Sequence, residues 1–445
     1  MLKNWQCLVV LVLLAALVYA TDAEQDQQRI LDTIQYGIET QVVDLVAQLR
    51  VRNDDFYNTQ LHALLLASRS ASLKIALLDF FAARKAELAT AEAVRIITER
   101  FDTTATLVQA AFNYLIAIQA DAANEQVSAI INGNEAAFLQ PAIRLAAESG
   151  DASLVPVLVE LYAEPDTITA VKEQILLALG KLPAEGSFTL LSELLSRDSS
   201  SRIEQMYAAT GLGNLGDARA IETLQRAAFS TIPEVRARAI DSLSNFDPLV
   251  VEAVIIEALK DAHVQPRLAA CQAVGRLGLT AAIPFLGFRI KFDPERVVRE
   301  AAIAALGRLN RPESFVLLII FLEDTQNNLT YRSKAFLALV EYASGQFDER
   351  LDTILEASMA ERDKAYFNLL ARGLVGLDNL AAVPFIRVLL AYSEYAVRLN
   401  ALAWAERNVA RVLRPEIEPI AAQDSVALVK NKAIQVLARF DRADE

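Results

Sequence analysis

The residues that could carry acid–base, nucleophilic or metal chemistry are few in this chain of 445 residues. It has two histidines, His62 and His263, and neither lies in a zinc-binding or nucleophile motif. The glycine-rich stretch 211–216 superficially matches a dinucleotide fingerprint, but it ends a helical pattern and no strand precedes it. A Ser/His/Asp triad assembled from distant positions remains an alternative. We predict that the protein is not an enzyme, with no catalytic residue, no cofactor or cofactor-binding residue and no metal site.

Basic residues, in contrast, return at a regular interval. Neighbours stand 31 to 33 residues apart, or about twice that where one unit lacks the residue. Each precedes by three positions a small or aliphatic residue such as Ile175, Ala239 or Ala302. A fixed period of this length is typical of a solenoid, in which one supersecondary unit stacks on the next. The row consists of Lys172, Arg236, Arg267, Arg299, Arg332, Arg398 and Lys430.

The repeating unit is clearest at residues 280–309. Apolar residues at three- and four-residue spacing predict two helices, separated by a turn at Asp293, Pro294 and Glu295. Pro294 fits the first turn of the second helix and Asp293 can cap it. Gly307 is expected to end that helix. Strand patterns are nearly absent from the rest of the chain.

These residues resemble a known family. The segments VREAAIAALGRL, VRARAIDSL and PRLAACQAVGRL resemble the second helix of HEAT repeats, closest to the compact HEAT-like repeats of bacteria. The resemblance implies an all-α fold, a right-handed superhelix of stacked helix pairs. It is strong from about 150 to 440 and weaker from 25 to 150, where Gly37–Arg50 and Phe56–Ser68 resemble one pair. The unit at 362–377 departs from the pattern, with Ala365 where the basic residue belongs.

The resemblance also gives the basic row a role. An acidic residue stands six positions before four of its members, and such pairs form a ladder between adjacent HEAT repeats. The alternative is that the arginines bind an anionic ligand. Aromatic residues near the C-terminal end pose a similar choice between core and binding surface. The acidic–basic pairs are Asp166/Lys172, Asp261/Arg267, Asp293/Arg299 and Asp424/Lys430, and the aromatic residues are Tyr366, Phe367, Tyr392, Tyr395 and Trp404.

The first residues have the pattern of a secretory signal peptide. Lys3 is followed by the apolar run Leu8–Val18 and a permissive site for cleavage after Ala20. We therefore predict a signal peptide at 1–20, divergent helical repeats at 21–150 and HEAT-like repeats of about 32 residues at 151–445. An uncleaved N-terminal anchor is the alternative. No later apolar run reaches the length of a membrane span.

Net charge limits the classes of partner, and cysteine content limits disulfide bonding. The formal net charge is −13, which argues against nucleic acid and anionic lipid as main partners. Cys7 falls within the predicted signal, so Cys271 would have no disulfide partner, and its Ala-rich surroundings predict a buried apolar residue.

The predicted function is that of an exported, non-enzymatic scaffold that binds a protein or an extended peptide. The second helices are expected to line the binding surface. The simple signal and compact repeat favour the bacterial periplasm. One alternative is a structural component of the cell envelope. The other is a subunit of an enzyme complex, because some HEAT-like proteins are lyases that handle bilin chromophores.

Overall fold

The computed structural model describes residues 25–442 except 53, 344, 345, 347 and 361–363. The predicted signal peptide lies outside the described residues. Throughout the described part the regular structure is helical, without a strand, which confirms the all-α prediction. The chain divides into two compact units, with the boundary between Leu194 and Leu195.

In the first unit the helices are short and joined by tight turns. They are α1 (25–36), α2 (Glu39–Arg52), α3 (Asn58–Ala67), α4 (Ala71–Ala83), α5 (Thr90–Thr98), α6 (Ala105–Ile118), α7 (Asn124–Asn132), α8 (Leu139–Ser149), α9 (Val155–Ala163) and α10 (Thr169–Leu179). Helix α11 (Glu185–Ser196) contains the boundary between the units.

The second unit is also a succession of helices. Its helices are α12 (Arg202–Leu215), α13 (Ala220–Ala227), α14 (Pro233–Leu243), α15 (Pro248–Ala258), α16 (Val264–Leu277), α17 (Ile283–Phe292), α18 (Arg296–Leu309), α19 (Pro312–Glu323), α20 (Leu329–Tyr342), α21 (Asp348–Ala360), α22 (Lys364–Val375), α23 (Val383–Leu390), α24 (Tyr395–Arg407), α25 (Arg414–Gln423) and α26 (Ala427–Arg442).

Two kinds of helix alternate within each unit. Even-numbered helices, here called second helices, each pack directly on the next one: α2 on α4 and α4 on α6 in the first unit, and α12 on α14, α14 on α16 and α16 on α18 in the second. Odd-numbered first helices pack mainly on the second helix that follows and touch each other less. Within the second unit, the layer of second helices is therefore the more tightly packed one.

Small residues allow this tight packing. Ala239, Ala270, Ala302 and Ala335 are fully buried at the position three residues after the basic row. An alanine there presents only a methyl group, so the backbones of neighbouring helices can approach closely. The small position that the sequence predicted is therefore part of the core.

Two details of the repeat at 280–309 differ from the prediction. Helix α18 runs through Gly307 to Leu309 and ends at Asn310, which takes the left-handed conformation with φ 51°. Gly307 is needed for space, because a Cβ there would lie 2.8 Å from the Tyr342 ring. Asp293 and Pro294 both lie before the helix, whose N-cap is Glu295, so the predicted aspartate cap and the predicted proline in the first turn are wrong. Asp293 instead accepts a hydrogen bond from the Glu295 N–H at 3.0 Å.

The N-terminal helices also pair differently. The predicted pair 37–50 and 56–68 corresponds to α2 and α3. However, α2 is a second helix that packs on α4, and α3 is the first helix of the next pair, also packed on α4. The period alone could not tell which of two adjacent helices begins a unit.

Replacing Ala302 with leucine should destabilise the second unit by about 1–3 kcal/mol, because three extra carbons must enter a site with no exposed surface. Gln272→Ala is the control: Gln272 is exposed, and we expect a change of about 0.5 kcal/mol or less. Thermal unfolding of both variants tests this, and equal melting temperatures would contradict the assigned packing.

Candidate functional site

Three arginines of the basic row, Arg236, Arg267 and Arg398, form a ladder between repeats. Its partners differ from the prediction, because none of the four predicted acidic–basic pairs is an ion pair among the described contacts: Asp166/Lys172, Asp261/Arg267, Asp293/Arg299 and Asp424/Lys430. Arg267 binds Asp293 of the next repeat with two hydrogen bonds, Nε to Oδ2 at 2.8 Å and Nη2 to Oδ1 at 2.9 Å. Arg236 binds Asp261 in the same way, at 2.7 and 2.8 Å. The partner of Arg267 therefore lies one repeat further along the chain than Asp261, the acid that stands six positions before it.

The six-residue spacing has a different explanation. Arg236, Arg267 and Arg398 each donate to the backbone carbonyl of the residue six positions earlier, at 2.8 to 3.0 Å. That residue is an aspartate only before Arg267, and it is Ser230 or Tyr392 before the other two. Each ladder arginine thus holds its own turn through the backbone and the next turn through a carboxylate.

The Arg267–Asp293 pair is the most deeply buried of these contacts. The side chains of Arg267 and Asp293 are 5% and 0% exposed. Burial alone would raise the pKa of Asp293, but its hydrogen bonds, led by that from Arg267, outweigh burial and hold the pKa below its ordinary value. The pKa values of Asp261 and Asp424 are lowered by the same balance.

The remaining basic residues take other partners. Arg299 donates to the Asp293 carbonyl and lies over the Tyr331 ring, with its Cζ 5.3 Å from the centroid. Arg332 lies over Tyr366 at the same distance and donates to a backbone carbonyl. These cation–π contacts replace the carboxylate of the next repeat.

The two lysines of the row also lack a carboxylate partner among the described contacts. Lys172 lies over the Tyr162 ring and Lys430 donates to the Ala422 carbonyl. Arg398, in contrast, binds Asp424 at 2.9 and 3.1 Å.

A second set of contacts runs backward between repeats, and the sequence reasoning missed it. Arg407 donates to the Val375 carbonyl at 3.0 Å, at the C-terminal end of the preceding second helix. Asn245 donates to the Gly213 carbonyl in the same way, at 3.0 Å. Side chains of one repeat therefore satisfy carbonyls that a helix end leaves without a partner. A second periodic row was the available signal: Lys181, Arg276, Arg308, Arg407 and Arg439 each stand nine residues after a member of the first row.

An open cleft lies on the second helices of the second unit, with a volume of about 240 Å³. Apolar parts of Met206 and Leu268 lie on its walls, on α12 and α16. Arg238 and Gln272 are exposed there, and among the described contacts neither has a hydrogen-bond or ion-pair partner. The cleft thus offers free donors and acceptors beside apolar surface, an arrangement that suits a polypeptide ligand.

The acids of the cleft are already paired. Glu234 accepts from Arg202 at 3.0 Å, and Asp241 accepts from Arg276 at 3.1 Å. Both pairs bridge adjacent second helices and are partly exposed. Such surface pairs contribute about 0–1 kcal/mol each, so they are better suited to positioning than to stability.

Candidates for chemistry are dispersed. His62 contacts the edge of the Phe81 ring in the first unit, and His263 precedes α16 in the second. Cys271 is fully buried, and burial raises the pKa of its thiol to about 12, which confirms the apolar interpretation. Residues 211–215 belong to α12, and Gly216 ends that helix at φ 65°. No group of three potential metal ligands occurs among the described residues.

The C-terminal aromatic residues belong mainly to the core. Trp404 is fully buried and donates its Nε1–H to the Leu377 carbonyl at 2.9 Å. Tyr392 stacks on Phe367 with ring centroids 4.4 Å apart. Tyr395 is the exception, since 48% of it is exposed. Within the described part of the chain, no helix is long and apolar enough to span a membrane.

Several solved structures are similar to parts of this chain, with TM-scores below 0.5. The karyopherin Kap121p matches with a TM-score of 0.44 and 12% identity, over 90% of this chain and 50% of that chain. The CpcE–CpcF complex of phycocyanin lyase from Nostoc sp. PCC7120 matches with a TM-score of 0.33 and 20% identity, over 65% of this chain and 94% of that chain. Human deoxyhypusine hydroxylase matches with a TM-score of 0.28 and 17% identity, over 67% of this chain and 99% of that chain. These likenesses concern the fold alone.

No curated protein matches the chain. The model of one protein family, described as spirochaete HEAT repeat protein, matches residues 34–442. That range includes most of each unit, the ladder and the cleft. The chain therefore belongs to the spirochaete HEAT repeat protein family.

Proposed function

We propose that this protein is a non-enzymatic scaffold that binds a protein partner on the second helices of its second unit. The cleft on α12, α14 and α16 carries the proposal, because it combines free polar groups with apolar surface in an open site. Paired acids hold the surrounding helices in register without occupying those groups. An extended segment of the partner could cross several second helices in succession.

We also propose that the protein acts outside the cytoplasm, in the periplasm of a spirochaete. The sequence pattern of residues 1–20 supports export, and the family supports the organism class. Fractionation of cells that express a C-terminally tagged chain tests this proposal. Recovery of the full-length chain in the cytoplasm would contradict it.

Filling the cleft should abolish partner binding. Gln272→Trp adds a bulky ring in the cleft without a change of charge, and we expect at least about a tenfold loss of capture from envelope extract. Ala253→Trp is the matched control, since Ala253 is exposed on the first helix α15. Quantitative pull-down with residues 21–445 measures both.

Both variants should keep the wild-type melting temperature, because exposed substitutions change stability by about 0.5 kcal/mol or less. Equal capture by Gln272→Trp and wild-type protein would place the binding surface elsewhere. Equal loss in both variants would indicate that capture is nonspecific.

A further inference from the structure

Charge is distributed unequally between the two layers of the second unit. Its second helices, α12 to α26, carry 18 basic and 7 acidic residues. Its first helices, α13 to α25, carry 6 basic and 11 acidic residues. The second-helix layer is therefore positive in a chain whose net charge is −13.

The ladder accounts for only part of this excess. Six of the basic residues are row members that turn toward the repeat boundaries, and Arg267 is the most buried of them. Arg296, Arg276 and Arg202 each pair with an acid of the same layer, but their side chains remain in contact with solvent, at 70%, 49% and 57% exposed. Arg238, Arg308 and Arg372 are exposed as well. The layer thus presents positive charge to any ligand that lies across it.

The charge that the cleft offers to a ligand depends on which of its charged side chains are already paired. Its two acids, Glu234 and Asp241, each have an arginine partner from an adjacent helix. Arg238 stands between them on α14 and has no partner among the described contacts. The unpaired charge of the cleft is therefore positive.

The second helices of the first unit lack this excess of basic residues. These helices, α2 to α10, carry 5 basic and 5 acidic residues. The excess of basic residues on second helices is thus specific to the second unit, and the periodic fold by itself does not require it.

Resting on the proposed function, we propose that the partner contributes an extended acidic polypeptide segment, which lies across the second helices of the second unit. Packed helices are about 8–10 Å apart, and an extended chain advances about 3.3 Å per residue. An acid at every third residue of the segment would therefore meet each successive second helix. The Gln265 and Gln272 side chains in the cleft can pair with the peptide backbone between those acids.

A synthetic peptide tests this directly. The probe is a fluorescein-labelled peptide of about 15 residues with glutamate at every third position and glycine or serine between, long enough to cross about five helices. Fluorescence anisotropy with the intact protein should show binding at low salt that weakens as salt is added. Arg238→Glu should weaken binding about tenfold, because it reverses the free charge of the cleft.

Lys291→Glu is the matched control. Lys291 is exposed on the first helix α17, so this variant makes the same change of net charge on the other layer. Its affinity should stay within about twofold of the wild type. Equal weakening by both variants would reduce the effect to net charge and overturn the proposal.

Two further probes complete the test. Equal or tighter binding of the corresponding lysine peptide, or tighter binding of a single-stranded oligonucleotide of equal length, would overturn the proposal. Absence of glutamate-peptide binding would overturn it too. If the native partner is still captured in a manner sensitive to Gln272→Trp, the proposed function stands and the inference about acidic chemistry alone fails.

Discussion

Replacing Arg267 with methionine should destabilise the second unit more than any other ladder change. Methionine keeps an apolar stem of similar length but leaves the Asp293 carboxylate, which has no exposed surface, without its bidentate partner. Removing one member of a buried pair costs about 3–5 kcal/mol. The lower end applies here, because Arg289 remains 3.0 Å from the same carboxylate. Thermal unfolding and hydrogen exchange should place the loss around the turns at 261 and 293.

The matched control is Arg276→Met. The Arg276–Asp241 pair also bridges adjacent repeats, but both side chains are about half exposed. An exposed pair contributes about 0–1 kcal/mol, so this variant should unfold close to the wild type. Equal loss of stability in the two variants would show that burial of the ladder does not determine its energetic role.

The effect of Arg267→Met should also depend on pH. The folded-state pKa of Asp293 is lowered, so the pair stabilises the native state above the unfolded-state pKa of about 3.9 and loses this contribution as pH falls through the folded-state pKa. The difference in melting temperature between wild type and variant should therefore be largest near neutral pH. It should shrink below about pH 4, and a constant difference down to that range would contradict the assigned carboxylate chemistry.

A methyl group at Gly213 should separate two second helices. A Cβ at this position of α12 would lie 2.5 Å from the Ser242 Cβ and 2.9 Å from the Ser242 Cα on α14. Because the obstacle includes backbone, rotation of a side chain cannot relieve it. Gly213→Ala should destabilise the second unit by about 1–3 kcal/mol, despite a gain in helix propensity of about 1 kcal/mol. Gly213→Val should cost more.

Gly287→Ala provides the comparison for Gly213→Ala. Gly287 lies inside α17, and its Cβ would meet the Leu317 side-chain end at 3.0 Å, a group that can rotate away. The gain in helix propensity should then offset most of the steric cost, and the melting temperature should change little. If Gly213→Ala also melts at the wild-type temperature, the two helices are not held as closely as the structure places them.

The sequence by itself determined the helical content, the period and the core positions of the repeat. These are local properties: apolar spacing fixes which face of a helix is buried, and the period is visible because every unit solves the same packing problem. Ala302, Cys271 and Trp404 could be assigned to the core for that reason. The family resemblance rests on the same local patterns.

Tertiary structure alone decided which residues meet. Asp261 and Arg267 are six residues apart, yet the Asp261 carboxylate binds Arg236 of the previous repeat, while Arg267 reaches forward to Asp293. Arg299 has the same local sequence pattern as Arg267, yet it lies over the Tyr331 ring and, among the described contacts, binds no carboxylate of the next repeat. Tertiary structure also leaves Arg238 unpaired among those contacts, because Arg202 and Arg276 from neighbouring helices bind the two acids of the cleft. Stacking sets the distance and angle between successive units, and those quantities select one partner among several that a period of 31 to 33 residues leaves equally available.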